Sequence, residues 1–263
     1  MTRVAILEAN TPDIVDGRRL AGVPTAAECY DIAFRDVGLE VDTAILEPYR
    51  QGLGTAELNG FDAAIFTGSG VAWSVDAPEG RVYLEACQKV FDCGLPVFGS
   101  CNGLQMAAVL LGGSIRYNEN GLEVGLAKGL HLTEHGQSHP MFEGRTDGYA
   151  VPCIHRDEVD RLPHGAHLLA RNDHTVVQAF AYTGNGVEFW GTQYHPEYTA
   201  GIIGQFLESR LEIFDTDRDA LVADLFSLEQ NDDIAARHGS TVEAQRAPTR
   251  TLELQNWLKH IQS

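Results

Sequence analysis

The stretch PVFGSCNGLQMAAVLLGG, residues 96–113, sets a small apolar strand directly against a thiol and then against a helix. A cysteine on the sharp corner between two buried elements is either core filler or a nucleophile, and its neighbours distinguish the two. Gly99 and Gly103 bracket Cys101 as G-S-C-N-G. A strained strand-to-helix turn of this kind exposes one side chain, and small flanking residues let the backbone turn while a substrate approaches. The following helix points its N-terminus at the sulfur, so its dipole and unpaired N–H groups favour thiolate and can stabilise an oxyanion.

Upstream of the corner, short apolar runs alternate with helical periodicity. They are VAILEA at 4–9, a helix from about Thr25 to Val37, EVDTAIL at 40–46, DAAIFTG at 62–68 and a helix through GRVYLEACQKVFDCG. Alternation of this kind predicts an α/β fold, a doubly wound, mostly parallel central sheet with flanking helices and a ligand site at the carboxyl ends of its strands. Glycine-marked loops follow AIFTG and PVFGS, where such a sheet carries its site. After the helix at 103–111 the texture changes. GGSIRY, LEVGLAKGLHLTE, TDGYAVPCIH, AHLLARND, TVVQAFAY and GVEFWGTQYHP read as shorter, largely antiparallel strands toward an edge. From about Ala200 the chain is helical again through AGIIGQFLESRLEIF, RDALVADLFSLEQNDDIAARHG and TLELQNWLKHIQ, with GSTVEAQRAPTR reading as a linker.

The 263 residues are 44% hydrophobic, enough for one large α/β domain with an appendage. Asp and Glu number 37 against 19 Lys and Arg, and a net charge of −18 repels phosphate backbones and anionic lipid, so neither nucleic acid nor membrane is expected as a partner. MTRVAILEAN passes straight into a strand without a secretory pattern, and no run reaches transmembrane length, so a cytoplasmic location is expected. Cys29, Cys87, Cys93, Cys101 and Cys153 form no dense framework, which argues against structural disulfides and leaves the other four as ordinary thiols.

A nucleophilic thiol needs a base, and the base needs an orienting group. In EFWGTQYHPEY, His195 follows an apolar strand, Glu197 lies two residues on, and Pro196 fixes the turn between them. This spacing can put the imidazole over a neighbouring strand end while the carboxylate reaches its far nitrogen. With GSCNGLQ early and QYHPEY late, the chain resembles the class I (triad) glutamine amidotransferases over about residues 1–210. The resemblance implies Cys101 as nucleophile, His195 as general base and acid, and Glu197 as orienter of the imidazole. FTGSG is similar to the family's oxyanion loop, implying backbone donors at Gly68, Ser69 and Gly70 together with the N–H of Asn102. Gln105 matches a position that contacts the glutamine moiety. CIHRDEVDRLPHGAHLLA is similar to the segment holding the α-amino and α-carboxylate groups, so Ile154, His155, Arg156 and Asp157 would border that subsite. Arg156 stands where many members carry glycine; its guanidinium either binds the substrate carboxylate or points to solvent and pairs with an acidic neighbour such as Glu158.

The resemblance divides the chain into a catalytic domain over residues 1–210 and a helical C-terminal extension over 211–263, with no cofactor. The last sixty or so residues are too few for a nucleotide-binding fold, and no P-loop pattern occurs. HRDEV together with HPEY is more similar to the free-standing γ-glutamyl peptidase-like branch, which implies a small-molecule γ-glutamyl substrate hydrolysed through a γ-glutamyl thioester. A glutaminase subunit serving a separate synthetase or ligase is the alternative, and an idle binding protein of the same fold is a third. Residues 10–24 are expected as a long loop after the first strand, either a plain surface loop or the wall of a leaving-amine pocket. Trp73 is expected in a loop from which it could line that pocket. His131, His135 and His139 recur every four residues, a zinc-like spacing on a helix, but Gly136, Ser138 and Pro140 indicate a hairpin, so no metal site is expected. Leu221, Leu225 and Leu228 fall on one helical stripe and read as intramolecular core, although the tail could also serve a homo-oligomer.

Overall fold

The computed structural model describes residues 1–208 and 218–263. Its first half runs β1 (Arg3–Leu7), α1 (Pro12–Leu20), α2 (Ala26–Asp36), β2 (Asp42–Leu46), α3 (Pro48–Gln51), β3 (Ala63–Phe66), α4 (Arg81–Asp92), β4 (Val97–Ser100) and α5 (Asn102–Leu110). β1, β3 and β4 are short and buried while edge strand β2 is half-buried, and α2 and α4 are amphipathic, so these crossovers cover the faces of a parallel sheet. Then follow β5 (Ser114–Tyr117), β6 (Glu123–Leu132), α6 (Glu134–Ser138), β7 (Tyr149–His155), β8 (Asp157–Arg161), β9 (His167–Arg171), β10 (Ala179–Gly184) and β11 (Val187–Thr192). The last helices are α7 (Ala200–Glu208), α8 (Arg218–Ser227), α9 (Asp232–Arg237), α10 (Val242–Gln245), α11 (Ala247–Arg250) and α12 (Leu252–Ile261).

One sheet of nine strands has the order β2-β1-β3-β4-β11-β10-β9-β6-β7. From β2 to β11 neighbours are parallel, and from β11 to β7 they are antiparallel. This is the expected doubly wound α/β fold with antiparallel strands toward one edge. The carboxyl ends of β1, β3, β4 and β11 lie side by side, so the loops after Leu7, Phe66, Ser100 and Thr192 meet at one rim. Gly99 faces Gly191 in the β4–β11 register, and a Cβ on Gly191 would stand 2.8 Å from the Gly99 carbonyl oxygen. That close approach seats the corner carrying Cys101 against the strand leading to His195.

Four local expectations need correction. Residues 10–24 are not simply loop: Thr11 is extended, Pro12 opens α1, Asp13 sits in its first turn and Arg18 and Arg19 in its last, a full set of start and stop signals. Residues 133–142 form two short helical turns instead of a hairpin, because the Thr133 hydroxyl caps α6 by accepting the Gly136 N–H at 3.1 Å. Residues Asp157–Arg161, absent from the strands expected there, form β8 and pair antiparallel with β5. The stretch taken as a linker holds α10 and α11, with Gln245 and Arg250 buried. Leu225 and Leu228 are buried with Ile203 and Leu207, and Leu221 packs at their margin, as the helical stripe predicts. The end of the helix expected to 214, and the boundary expected at residue 210, lie outside the described residues. Trp257 of α12 packs on Phe98 of β4 with ring centroids 5.9 Å apart, so the last helix covers a strand of the central sheet.

Candidate active site

Cys101 occupies the corner between β4 and α5 with φ +50° and ψ −106°, a conformation that side-chain-bearing residues avoid. Its neighbours make the turn possible. A Cβ on Gly103 would collide with the Phe66 carbonyl, and one on Gly99 would stand 2.8 Å from the Gly103 carbonyl carbon. The Cys101 N–H donates to Thr192 O at 2.8 Å, tying the corner to the end of β11. Its Sγ–H donates to Ile154 O at 3.6 Å. Asn102 opens α5, so its N–H is among those with no intrahelical partner. Cys29, Cys87 and Cys153 are buried thiols pushed up by burial, and Cys93 is exposed. None of these four occupies a corner of this kind.

His195 and Glu197 stand on the loop after β11. The Glu197 carboxylate accepts His195 Nδ1–H at 2.7 Å and the Ser100 hydroxyl at 2.8 Å, both on Oε1, and Ser100 Oγ is 2.6 Å from Tyr30 Oη. With Nδ1 so engaged, Nε2 is the nitrogen left for the thiol. Burial alone would lower the His195 pKa, but the Glu197 charge and a hydrogen bond with Cys101 raise it to about 10. The imidazole is clamped on its faces and along its backbone. Tyr198 stacks on it at 4.2 Å, a Cβ on Gly68 would lie 2.5 Å from Cε1, and the His195 N–H donates to Pro152 O at 2.8 Å. Arg250 of α11 holds the same loop from behind through Nη1, which donates to Pro196 O at 2.7 Å and Tyr198 O at 3.0 Å.

The loop after β3 carries Gly68, Ser69 and Gly70 along the rim. The Gly70 N–H donates to Asn10 Oδ1 at 2.7 Å, and the Ser69 hydroxyl donates to Ala9 O at 3.0 Å. Gly70 is therefore already engaged, and the expected loop donors narrow to the N–H groups of Gly68 and Ser69. Asn10 is itself fixed by buried Glu8, whose carboxylate accepts Asn10 Nδ2 at 2.6 Å, the Asn10 N–H at 3.1 Å and the Ala27 N–H at 2.9 Å. The sequence reading missed Glu8 and Asn10. Their signal is two polar residues directly after an apolar strand, at the strand end where a parallel sheet builds its site.

The remaining expected residues divide by role. Gln105 Nε2 donates to Asp157 O at 2.7 Å and Gln193 Oε1 at 3.1 Å, which uses both its hydrogens and leaves Oε1 for a ligand. Ile154 borders the sulfur through its carbonyl. The His155 imidazole is engaged at both nitrogens, with Nε2 2.8 Å from buried Glu123 and Nδ1 3.1 Å from Asp157 O. Arg156 pairs with an acidic neighbour, as one of the two expectations had it, but that neighbour is not Glu158, which takes Arg116 at 2.9 Å. Instead it grips Asp157 through two bonds of 2.9 Å and donates to Ala72 O at 3.0 Å, bridging β7–β8 to the loop after Gly70. The hydrogen bonds to Asp157 raise the Arg156 pKa.

These residues open into one cleft of about 720 Å³, lined also by α1, Trp73 and the end of α7, a size suited to a small organic molecule. The walls include Ile14, Val23 and Phe206, so the cleft is broader and more apolar than a bare carboxamide requires. Among the described residues no cluster of His, Cys, Asp and Glu could hold a metal ion. His131 pairs with Asp147, His135 lies 4.4 Å from the His167 ring, and His139 accepts the Met141 N–H, so the three spaced histidines do not converge. No helix among the described residues is long and apolar enough to cross a membrane.

A family model described as glutamine amidotransferase class-I matches residues 40–211. The gamma-glutamyl-L-1-hydroxyisopropylamide hydrolase of a Pseudomonas species is 31% identical over 275 residues, covering 98% of this chain and 92% of that protein. The glutamine-hydrolyzing GMP synthase of Streptomyces avermitilis is 35% identical over 118 residues, which cover 45% of this chain and 21% of the synthase. A solved glutamine amidotransferase from Thermotoga maritima has the same fold, with a TM-score of 0.61 at 18% identity, covering 99% of this chain and 97% of that one. On the family match and the near full-length relative together, the chain belongs to the class I glutamine amidotransferase family.

Proposed function

We propose that this protein hydrolyses a γ-glutamyl amide through a thioester on Cys101. The observation carrying the proposal is that the thiol at the strained corner shares one cleft with His195, whose Nδ1 is held by buried Glu197. In the proposed reaction the Cys101 thiolate attacks the γ-carbonyl carbon, and the resulting oxyanion accepts hydrogen bonds from the Asn102 N–H and from the loop at Gly68 and Ser69. His195 gives its proton to the departing nitrogen, the C–N bond breaks, and a γ-glutamyl thioester and free amine remain. Water then attacks the thioester with His195 as base, releasing glutamate and restoring the thiol. Glu197 keeps the imidazole in the required orientation throughout. Gln105 Oε1 and the segment from Ile154 to Asp157 border the glutamyl end, and no cofactor enters any step.

The width of the cleft and the full-length similarity to an amide hydrolase favour a substituted amide over glutamine. The partial similarity to GMP synthases supports the second reading, a glutaminase passing ammonia to a synthetase partner. Purified protein assayed alone against glutamine and a panel of γ-glutamyl alkylamides, anilides and peptides separates the two. The first reading expects at least one substituted amide to exceed glutamine in kcat/KM, and expects a γ-glutamyl chloroketone to label Cys101 stoichiometrically. Full activity in Cys101→Ala ends both readings. Negligible turnover that rises sharply on adding a synthetase and its nucleotide favours the second.

A further inference from the structure

A chain of stacked groups leads away from His195 along one wall of the cleft. Tyr198 lies on the imidazole at 4.2 Å, Phe206 of α7 meets Tyr198 edge-on at 5.2 Å, and the Arg18 guanidinium carbon sits 4.0 Å over the Phe206 ring. Arg18 ends this row in an unusual electrostatic state. Its neighbour Arg19 bonds Glu28 and Glu47, and Asp16 is taken by Arg50, yet among the described residues Arg18 makes no ion pair. That is notable in a chain where acidic residues outnumber Lys and Arg by 37 to 19. Among the described residues Arg18 Nη1 is also buried without a hydrogen-bond partner, and so is Oε1 of Gln205, one residue before Phe206. Both side chains line the cleft. Buried polar atoms left unpaired are rare because each forfeits its bonds to water, so an unpaired guanidinium nitrogen and an unpaired amide oxygen on two residues of one cleft wall call for an account.

We propose that Arg18 receives a carboxylate carried by the leaving amine, with the Gln205 amide beside it, so that the substrates are γ-glutamyl derivatives of amino acids. The assignment rests on the hydrolase reading and sharpens it. The leaving nitrogen takes its proton from His195, so its substituent extends on the His195 side, along Tyr198 and Phe206 toward Arg18. The glutamyl end lies by Ile154, whose carbonyl borders the sulfur. A guanidinium presents parallel N–H donors matched to two carboxylate oxygens, and rotation of the Gln205 amide offers a further donor. A hydroxyl would fill the hydrogen bond but leave the cation without a counter-charge.

The test compares size-matched pairs: γ-glutamylglycine with γ-glutamyl ethylamide, and γ-glutamyl-β-alanine with γ-glutamyl propylamide and hydroxypropylamide. Hydrolysis is measured with the intact protein, and binding is measured by calorimetry with Cys101→Ala. The carboxylated member of each pair is expected to lead by roughly 10- to 100-fold in both kcat/KM and affinity. Arg18→Gln should bring the ratio close to one, and Arg18→Lys should retain part of it. A neutral or hydroxylated amide that matches the carboxylate, or a preference that survives in Arg18→Gln, overturns the assignment. Neutral amides hydrolysed without a carboxylate preference refute Arg18 and spare the hydrolase reading. A carboxylate preference in binding without any hydrolysis supports the Arg18 site and refutes the hydrolase.

Discussion

Glu197→Gln tests the electrostatics of the site with little change of shape. Both donors to this carboxylate, His195 Nδ1 at 2.7 Å and Ser100 Oγ at 2.8 Å, use Oε1, whereas Oε2 is buried with no hydrogen-bond partner among the described residues. A glutamine can therefore keep its carbonyl at the Oε1 position and retain both bonds, losing the charge and placing an unpartnered amide nitrogen where Oε2 was, a pH-independent cost of about 1–3 kcal/mol. Burial opposes an imidazolium at position 195, and the Glu197 charge is the main influence raising its pKa to about 10. Against an ordinary histidine near 6.5, that corresponds to an upper bound on the order of 5 kcal/mol favouring the charged ring. Without the carboxylate, burial dominates and the imidazole is neutral at physiological pH. The assay is the rate of Cys101 carboxamidomethylation by iodoacetamide across pH, since the reactive species is the thiolate. In wild type the imidazolium stands beside the sulfur at every pH below about 10, so alkylation stays fast on the acid side. In the variant the rate near neutral pH should fall by roughly 10²- to 10³-fold. Stability gives an independent reading with a fixed sign. A folded pKa above the unfolded one contributes stability that is complete below about 6.5 and lost as pH rises through about 10. The stability gap between wild type and variant should thus be widest in acid and close toward pH 10. Superimposable alkylation profiles would refute the assignment of Glu197 as the charge that sustains the pair.

Two further substitutions probe how the imidazole is held. Gly68→Ala puts a methyl 2.5 Å from His195 Cε1, so the ring or the loop must move; a loss of about 1–3 kcal/mol in stability by denaturation and a fall of at least about tenfold in kcat are expected, and full activity would mean the loop is free to yield. Arg250→Ala leaves the Pro196 and Tyr198 carbonyls without their donor; about 2–4 kcal/mol of destabilisation is expected, with a larger loss in kcat than in substrate affinity, and unchanged kinetics would show that the loop holds His195 unaided.

Legibility in the sequence followed how local the cause was. The parallel strands and their crossover helices are written in runs such as DAAIFTG and PVFGS, because a strand buried on both faces has little alternative composition. Cys101, His195 and Glu197 were readable because a corner that needs glycine on both sides, and a strand ending in H-P-E, are short patterns with few competing uses. The neighbours of those residues were less accessible. Whether Gly70 can donate depends on Asn10, whether His155 Nε2 is available depends on Glu123, and whether Arg156 is available depends on Asp157 and Ala72; three of these four partners are remote in sequence. The helix at α1 was written locally, in Thr11, Pro12 and the two arginines, but its polar, weakly periodic face concealed it. Residues 239–250 looked like a linker because they are polar and contain proline, yet Gln245 and Arg250 are buried by what they bond, not by apolar character.

The helices after residue 200 bear on the chemistry from two directions. Arg250 supplies the donors behind the loop that carries His195 and Glu197, while Gln205 and Phe206 form part of the cleft wall in front of it. The same segment is tied within itself and to the sheet: Glu229 accepts the Ala200 N–H at 2.9 Å, and Glu253 takes both Arg145 and the Tyr194 hydroxyl, one residue before His195. The family model's match ends at residue 211, so the helices from α8 onward, including the one that braces the His195 loop, lie outside it. A change in α11 or α12 can therefore reach the imidazole without touching any residue of the family motifs. On the proposed hydrolase reading, substitutions on α1 and the end of α7 are expected to alter which amine is accepted more than the reactivity of the thiol, because their contacts run to Tyr198 and the open side of the cleft.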